Sequence, residues 1–112
     1  MTTSEQTFQE IRNSAIRARE AMTAAVIRAD IKYGSNWSGV WMTAKERSEL
    51  ESLRSAKKRA ETVMWAWLTS HSPRIWEHGV PAAWVVYDLS FADAMRPLSE
   101  PLSVEPPKAY GA

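Results

Sequence analysis

The acidic residues with the most suggestive spacing are Glu46 and Glu49, which a helix places on one face. Two such pairs can hold Mg²⁺ in a hydrolase, but the first predicted helix supplies no second pair. The two histidines, His71 and His78, are seven residues apart with Pro73 between them, which matches no standard metal-ligand spacing. A metal-dependent hydrolase is therefore only a second alternative, and the favoured interpretation of the acidic pair is a solvent-exposed helix start.

Other catalytic signatures are missing from the sequence. It has no cysteine, which excludes thiol catalysis, zinc ribbons and disulfides. The spacing from Gly34 to Gly39 is not followed by the lysine that a phosphate-binding loop requires. No serine lies in a predicted strand–turn–helix nucleophile elbow. We therefore expect a protein that is not an enzyme and that needs no cofactor and no metal.

A basic run marks the second half of the chain: Arg54, Lys57, Lys58 and Arg59. Trp65 follows on the same predicted helix, and cations beside an aromatic ring are what phosphate contact and base stacking require. Glu51 and Glu61 interrupt the basic character, and such alternation is typical of a solvent-exposed, salt-bridged face. Binding of a nucleotide or nucleic acid through these residues is therefore the first alternative hypothesis.

One long amphipathic helix is predicted over residues 4–33, between an N-cap at Thr3 or Ser4 and a stop at Gly34. Its apolar residues follow the spacing of a coiled-coil seam: Phe8, Ile11, Ala15, Ala18, Met22, Ala25 and Ala29. The small alanines favour close approach of an antiparallel neighbour. A second apolar stripe, which one neighbouring helix would leave uncovered, consists of Ile16, Ile27 and Ile31. We interpret this isoleucine stripe as an oligomer interface.

A second helix is predicted over residues 43–70, because Thr43 and Glu46 match a capping box. Its apolar face includes Leu50, Leu53, Ala56, Ala60, Val63, Met64, Trp67 and Leu68. Antiparallel pairing of the two helices brings opposite charges together. The expected neighbours are Arg28 and Lys32 with Glu46 and Glu49, and Glu20 with Lys57.

The remaining segments are a loop and a C-terminal region. Residues 34–42 form the connection and carry Trp37 and Trp41, which either cover the end of the hairpin or bind a partner. Short helices are predicted at 73–79 and 81–96, although part of the latter has the pattern of a strand. Residues 97–112 are proline-rich and are expected to be disordered or extended. The prediction is an all-α fold with a single domain over residues 1–96.

The composition of the chain favours a binding function over a catalytic one. The net charge of +1 provides no general attraction to nucleic acid, and the sequence has neither a signal-peptide pattern nor a membrane-spanning run, so we expect a cytoplasmic location. Six tryptophans are a large apolar load for a chain of 112 residues. We therefore predict a small adaptor or stoichiometric inhibitor, of the kind that phages direct at host complexes. It would self-associate and bind a protein target through Trp37, Trp41 or Trp65.

Overall fold

The computed structural model describes residues 2–74 and 80–108. All regular structure in these ranges is helical, which confirms the predicted all-α fold. Two long helices, α1 (Ser4–Tyr33) and α2 (Ala44–His71), pack against each other along their length. Phe8 near the start of α1 contacts Trp67 near the end of α2, with ring centroids 5.5 Å apart, so the pair is an antiparallel hairpin. Two short helices follow in the second described range: α3 (Ala82–Tyr87) and α4 (Phe91–Ala94).

Each long helix begins at a capping box. The Thr3 hydroxyl accepts a hydrogen bond from the Gln6 amide, and the Gln6 side chain accepts one from the Thr3 amide. Thr43 and Glu46 form the same reciprocal pair at α2, as the sequence predicts. Gly34 ends α1 at φ +87°, a backbone conformation that residues with a side chain rarely adopt. The helix boundaries are thus set by local sequence.

Apolar burial joins the two long helices along the predicted seam. The larger core cluster lies away from the connecting loop and includes Phe8, Ala15, Met64, Trp67, Leu68, Val85 and Leu89. A smaller cluster next to the loop consists of Ala29, Met42 and Leu50. Val63 is an exception to the predicted face, because more than half of its surface is exposed beside a shallow cleft formed with Ile11 and Ala60. Burying each large side chain contributes roughly 1.5–3 kcal/mol.

A buried arginine attaches the C-terminal segment to α1. The guanidinium of Arg12 donates hydrogen bonds to the carbonyls of Val85, at 3.1 Å, and Leu89. It also lies over the Phe8 ring, 4.5 Å from the centroid. Burial lowers the pKa of Arg12 to about 10, which still leaves it charged at neutral pH. Arg12 thereby satisfies the Val85 carbonyl in the last turn of α3 and the Leu89 carbonyl in the turn that follows.

The C-terminal helices are confirmed as helices, but the predicted segment 81–96 is divided in two. α3 ends at Tyr87, and the Ser90 hydroxyl caps α4 by accepting a hydrogen bond from the Asp93 amide. The predicted helix 73–79 lies mostly outside the described residues, and Ser72, just before it, ends α2. Within the described ranges, neither long helix has the apolar length that a membrane crossing requires.

The first part of the predicted tail is held by two polar side chains. Arg74 is buried and donates to the carbonyls of Pro97 and Glu100, each at 3.0 Å. The Asp93 carboxylate accepts hydrogen bonds from the amide and hydroxyl of Ser103, both at 2.9 Å. Residues 97–108 contain no helix, as their prolines predict, yet residues 97–103 pack against the helices. The packed structure therefore continues past the predicted boundary at residue 96.

Asp93 is buried and remains ionised. Burial alone would raise the pKa of the Asp93 carboxyl group, but the hydrogen bonds from Ser103 and the ion pair with Arg96, at 3.2 Å, lower it below its ordinary value. The carboxylate therefore keeps its charge under ordinary conditions and can hold Ser103 in place.

Replacing Arg12 with methionine should lower the free energy of unfolding by about 2–4 kcal/mol, because two buried carbonyls lose their charged donor. Urea denaturation followed by circular dichroism measures this, and hydrogen exchange should show lost protection at α3 and α4. Arg17→Met, an exposed change on the same helix, is the matched control and should stay within about 0.5 kcal/mol of wild type. Equal effects of the two variants would contradict the role given to Arg12.

Candidate binding surfaces

The two loop tryptophans have different environments. Trp37 is half-buried, packs against the smaller core cluster and donates from its indole Nε1 to Asp30 Oδ1 at 2.6 Å. Trp41 lies in a short 3₁₀ turn, Gly39–Trp41, and is 55% exposed. Trp37 therefore covers the loop end of the hairpin, while Trp41 offers its ring to solvent.

A hydrogen-bond network around Glu46 closes this end of the hairpin. One carboxylate oxygen accepts from the Tyr33 hydroxyl at 2.6 Å and from the Thr43 amide at 2.9 Å. The other accepts from Lys32 Nζ at 3.1 Å, so this predicted pair between the helices is confirmed. The Tyr33 hydroxyl and then the Thr43 amide lower the pKa of Glu46 to about 2. Both oxygens of Glu46 are thus engaged within the chain.

Arg28, Lys32, Glu46 and Glu49 line one small cleft, of about 200 Å³, together with the apolar residues Ala25, Ala29, Met42, Leu50 and Leu53. The predicted neighbourhood of charges is therefore present. Over the ranges that the structure describes, no three histidine, aspartate or glutamate side chains are grouped closely enough to hold a metal ion.

The isoleucine stripe of α1 is divided by the C-terminal segment. Ile16 is partly buried and packs against the larger core cluster, where α3 covers α1. Ile27 and Ile31, one turn apart nearer the loop, are 51% and 81% exposed. Because residues four apart lie on the same face of a helix, Ile27 and Ile31 form one uncovered apolar patch. We call these two residues the exposed isoleucine pair.

Two cations of the basic run on α2 form ion pairs with glutamates, and the other two do not. Arg54 pairs with Glu51 at 3.1 Å, and Lys57 Nζ lies 3.9 Å from Glu61, its ion-pair partner in place of the expected Glu20. Lys58 and Arg59 are exposed, and neither forms an ion pair within residues 2–74 and 80–108. Two of the four predicted anion-binding residues therefore have uncompensated charge.

Tyr87 links α3 to both long helices. Its hydroxyl donates to Glu61 on α2 at 2.9 Å, and the Arg19 guanidinium of α1 lies 4.0 Å from its ring centroid. Burial and the hydrogen bond to Glu61 raise the pKa of Tyr87 to about 12. Sequence reasoning missed this contact, since nothing local to Tyr87 or Arg19 indicates it.

Trp65 borders a shallow cleft between α2 and α3. The cleft encloses about 340 Å³ and is lined by Lys58, Glu61, Thr62, Trp65, Ala82, Ala83 and Val86. α3 covers part of the indole and leaves it 38% exposed. A second open cleft on the outer face of α2 is lined by Ser55, Lys58, Arg59, Thr62 and Val63. The two clefts share Lys58 and Thr62 and therefore lie side by side on α2.

Comparisons of the sequence with protein-family models and with curated proteins, and of the fold with solved structures, gave no match.

Trp37→Leu should lower the free energy of unfolding by about 1–3 kcal/mol, because it removes the bond to Asp30 and leaves a gap beside the smaller cluster. Trp41→Leu, four residues away, is the matched comparison and should change the free energy by less than about 0.5 kcal/mol. Urea titrations at neutral pH measure both. The reverse order would show that Trp41, not Trp37, covers the hairpin end.

Glu46→Gln should lower the free energy of unfolding at neutral pH and should weaken the decrease of that free energy as the pH falls below about 5. The unfolded chain protonates Glu46 near its ordinary pKa of 4.5, whereas the folded chain retains the carboxylate down to about pH 2. The stabilisation is therefore complete above about pH 5 and is lost as the pH falls towards 2. Urea titrations at several pH values test this, with Glu49→Gln as control. An unchanged acid slope in Glu46→Gln would contradict the role of this network.

Proposed function

We propose that the protein is a non-catalytic protein-interaction module that self-associates through α1 and acts as an adaptor or stoichiometric inhibitor of a protein target. The observation that carries this proposal is the exposed isoleucine pair, two large aliphatic side chains on successive turns of a well-formed helix. Such side chains gain roughly 1.5–3 kcal/mol each when fully buried. A second protein surface provides that burial.

A second copy of the chain is the partner that fits this face most simply. In an antiparallel pair of α1 helices with twofold symmetry, Ile27 of one copy lies opposite Ile31 of the other, so one patch serves both copies. Ala24 is exposed on the preceding turn, and its small side chain permits close approach of the helices. Ile16 takes no part in this form of the proposal, since it packs within its own chain.

The exposed tryptophans supply a contact surface for a different protein. Trp41 lies at the loop end and Trp65 on the opposite half of the hairpin, and both retain large exposed ring area. Tryptophan is enriched among the residues that dominate protein–protein binding energy. Trp41 is the stronger candidate, because Trp37, the third residue considered, already has its indole bonded to Asp30. A cytoplasmic location is part of this proposal and agrees with a cysteine-free composition.

Sedimentation velocity across a wide range of protein concentrations tests self-association. Wild type should shift from monomer to dimer with increasing concentration, and the double variant Ile27→Ser, Ile31→Ser should remain monomeric, because serine removes the apolar patch. Leu98→Ser removes a comparable exposed apolar side chain elsewhere and should leave dimerisation unchanged. A wild-type chain that stays monomeric throughout, or equal loss of dimer in the control, would contradict the proposal.

A further inference from the structure

We propose that the outer face of α2 binds single-stranded nucleic acid, with a base stacked on Trp65 and phosphates held by Lys58 and Arg59. The first support is charge. Lys58 and Arg59 are adjacent in the chain, exposed and without ion pairs to the residues the structure describes, whereas Arg54 and Lys57 are compensated by neighbouring glutamates. Uncompensated cations are the groups that release counterions when they contact phosphates.

The second support is the position of the two neighbouring clefts. The Trp65 cleft and the cleft beside Arg59 lie on either side of Lys58 and Thr62, so an aromatic ring, an ammonium group and a guanidinium lie close together on one exposed face of α2. The Ser55 hydroxyl lies in the cleft beside Arg59 and can donate to a phosphate oxygen, whereas the Thr62 hydroxyl already donates to the Lys58 carbonyl at 2.8 Å. Stacking platforms combined with cationic grooves are the usual means of binding single strands without sequence preference.

Glu61 is the acidic residue of this surface, and its charge is compensated. The carboxylate accepts a hydrogen bond from the Tyr87 hydroxyl at 2.9 Å and lies 3.9 Å from Lys57 Nζ. The Arg19 guanidinium adds a further positive charge against the Tyr87 ring. An incoming phosphate at Lys58 therefore does not meet a free carboxylate there.

The open shape of the two clefts favours a strand over a single nucleotide. Both clefts are shallow and open to solvent, so a chain can enter at one side and leave at the other. The carboxylates of an acidic peptide could pair with Lys58 and Arg59. A run of acidic residues has no flat ring beside each charge, however, so it leaves the Trp65 cleft unfilled. A nucleic acid strand alternates bases and phosphates and fits both features.

Fluorescence anisotropy of a labelled oligothymidylate, titrated with the full-length protein at low salt, tests this proposal. We expect saturable binding, with log K falling against log salt at a slope of about −1.4 for two phosphate contacts. Lys58→Glu combined with Arg59→Glu should weaken binding roughly tenfold or more. Trp65→Leu should weaken it about fivefold or more, because base stacking on the indole is lost.

Arg17→Glu combined with Lys45→Glu is the matched control, since it changes net charge equally at exposed positions away from the clefts. This control should retain most of the affinity, and circular dichroism verifies the helical fold of each variant. No binding at low salt, or equal weakening in the control, would overturn the proposal. Equal competition by thymidine monophosphate would assign the site to a small nucleotide instead, and equal competition by oligoglutamate would assign it to an acidic protein segment.

Discussion

The structure depends on the burial of a narrow apolar seam between α1 and α2. A helix that pairs with one antiparallel neighbour covers only part of its circumference, so any further apolar residue needs a third element or remains exposed. Here α3 and α4 cover one side of the hairpin away from the loop, where Phe8, Trp67 and Leu89 enter one cluster. Nearer the loop, α1 has no such cover on the face that carries Ile27 and Ile31. The exposed surface follows from this uneven cover.

Charged side chains attach the short C-terminal elements to the hairpin. Helices of six and four residues are too short to be stable alone, and their free carbonyls need donors. Arg12 supplies donors to α3 and the turn after it, and Arg74 supplies them to the segment that follows α4. Asp93 accepts from the Ser103 amide and hydroxyl in return. Because these bonds are largely buried, loss of one partner leaves polar groups without water or a donor.

The sequence predicted the long helices well, because their signals are local. The capping box at Thr43, the stop at Gly34 and the alternating apolar spacing of α1 all act within one or two turns. The sequence also predicts part of the register of the hairpin, since Lys32 pairs with Glu46 as expected. These features depend on neighbours in sequence or on the single assumption that the helices pair antiparallel.

The contacts that hold the C-terminal region could not be predicted in the same way. Arg12 meets Val85 and Leu89 more than seventy residues later in the chain. Its place one turn from Phe8 puts it beside the apolar seam, unlike Arg17 on the opposite side of the helix, but no local pattern identifies its distant partners. Lys57 pairs with Glu61 one turn along its own helix and not with Glu20 across the hairpin. The division of the basic run into paired and uncompensated cations depends on these side-chain choices, so the sequence could indicate the run but not the site.

The difference between Trp37 and Trp41 has a similar origin. Both tryptophans lie in the same loop, and the turn after Gly34 determines which of them reaches Asp30. The loop end, where Trp41 is exposed, and the outer face of α2 are separate surfaces on one hairpin.

The proposed self-association makes the exposed isoleucine pair a contact face, whereas Ile11 and Ile16 pack against the core of their own chain. Isoleucine methyl spectra recorded at increasing protein concentration test it most directly. The account predicts concentration-dependent shifts and broadening at Ile27 and Ile31, with the methyl groups of Ile11 and Ile16 nearly unchanged. Signals of Ile27 and Ile31 that stay constant at every concentration, or that change no more than those of Ile11 and Ile16, would contradict it.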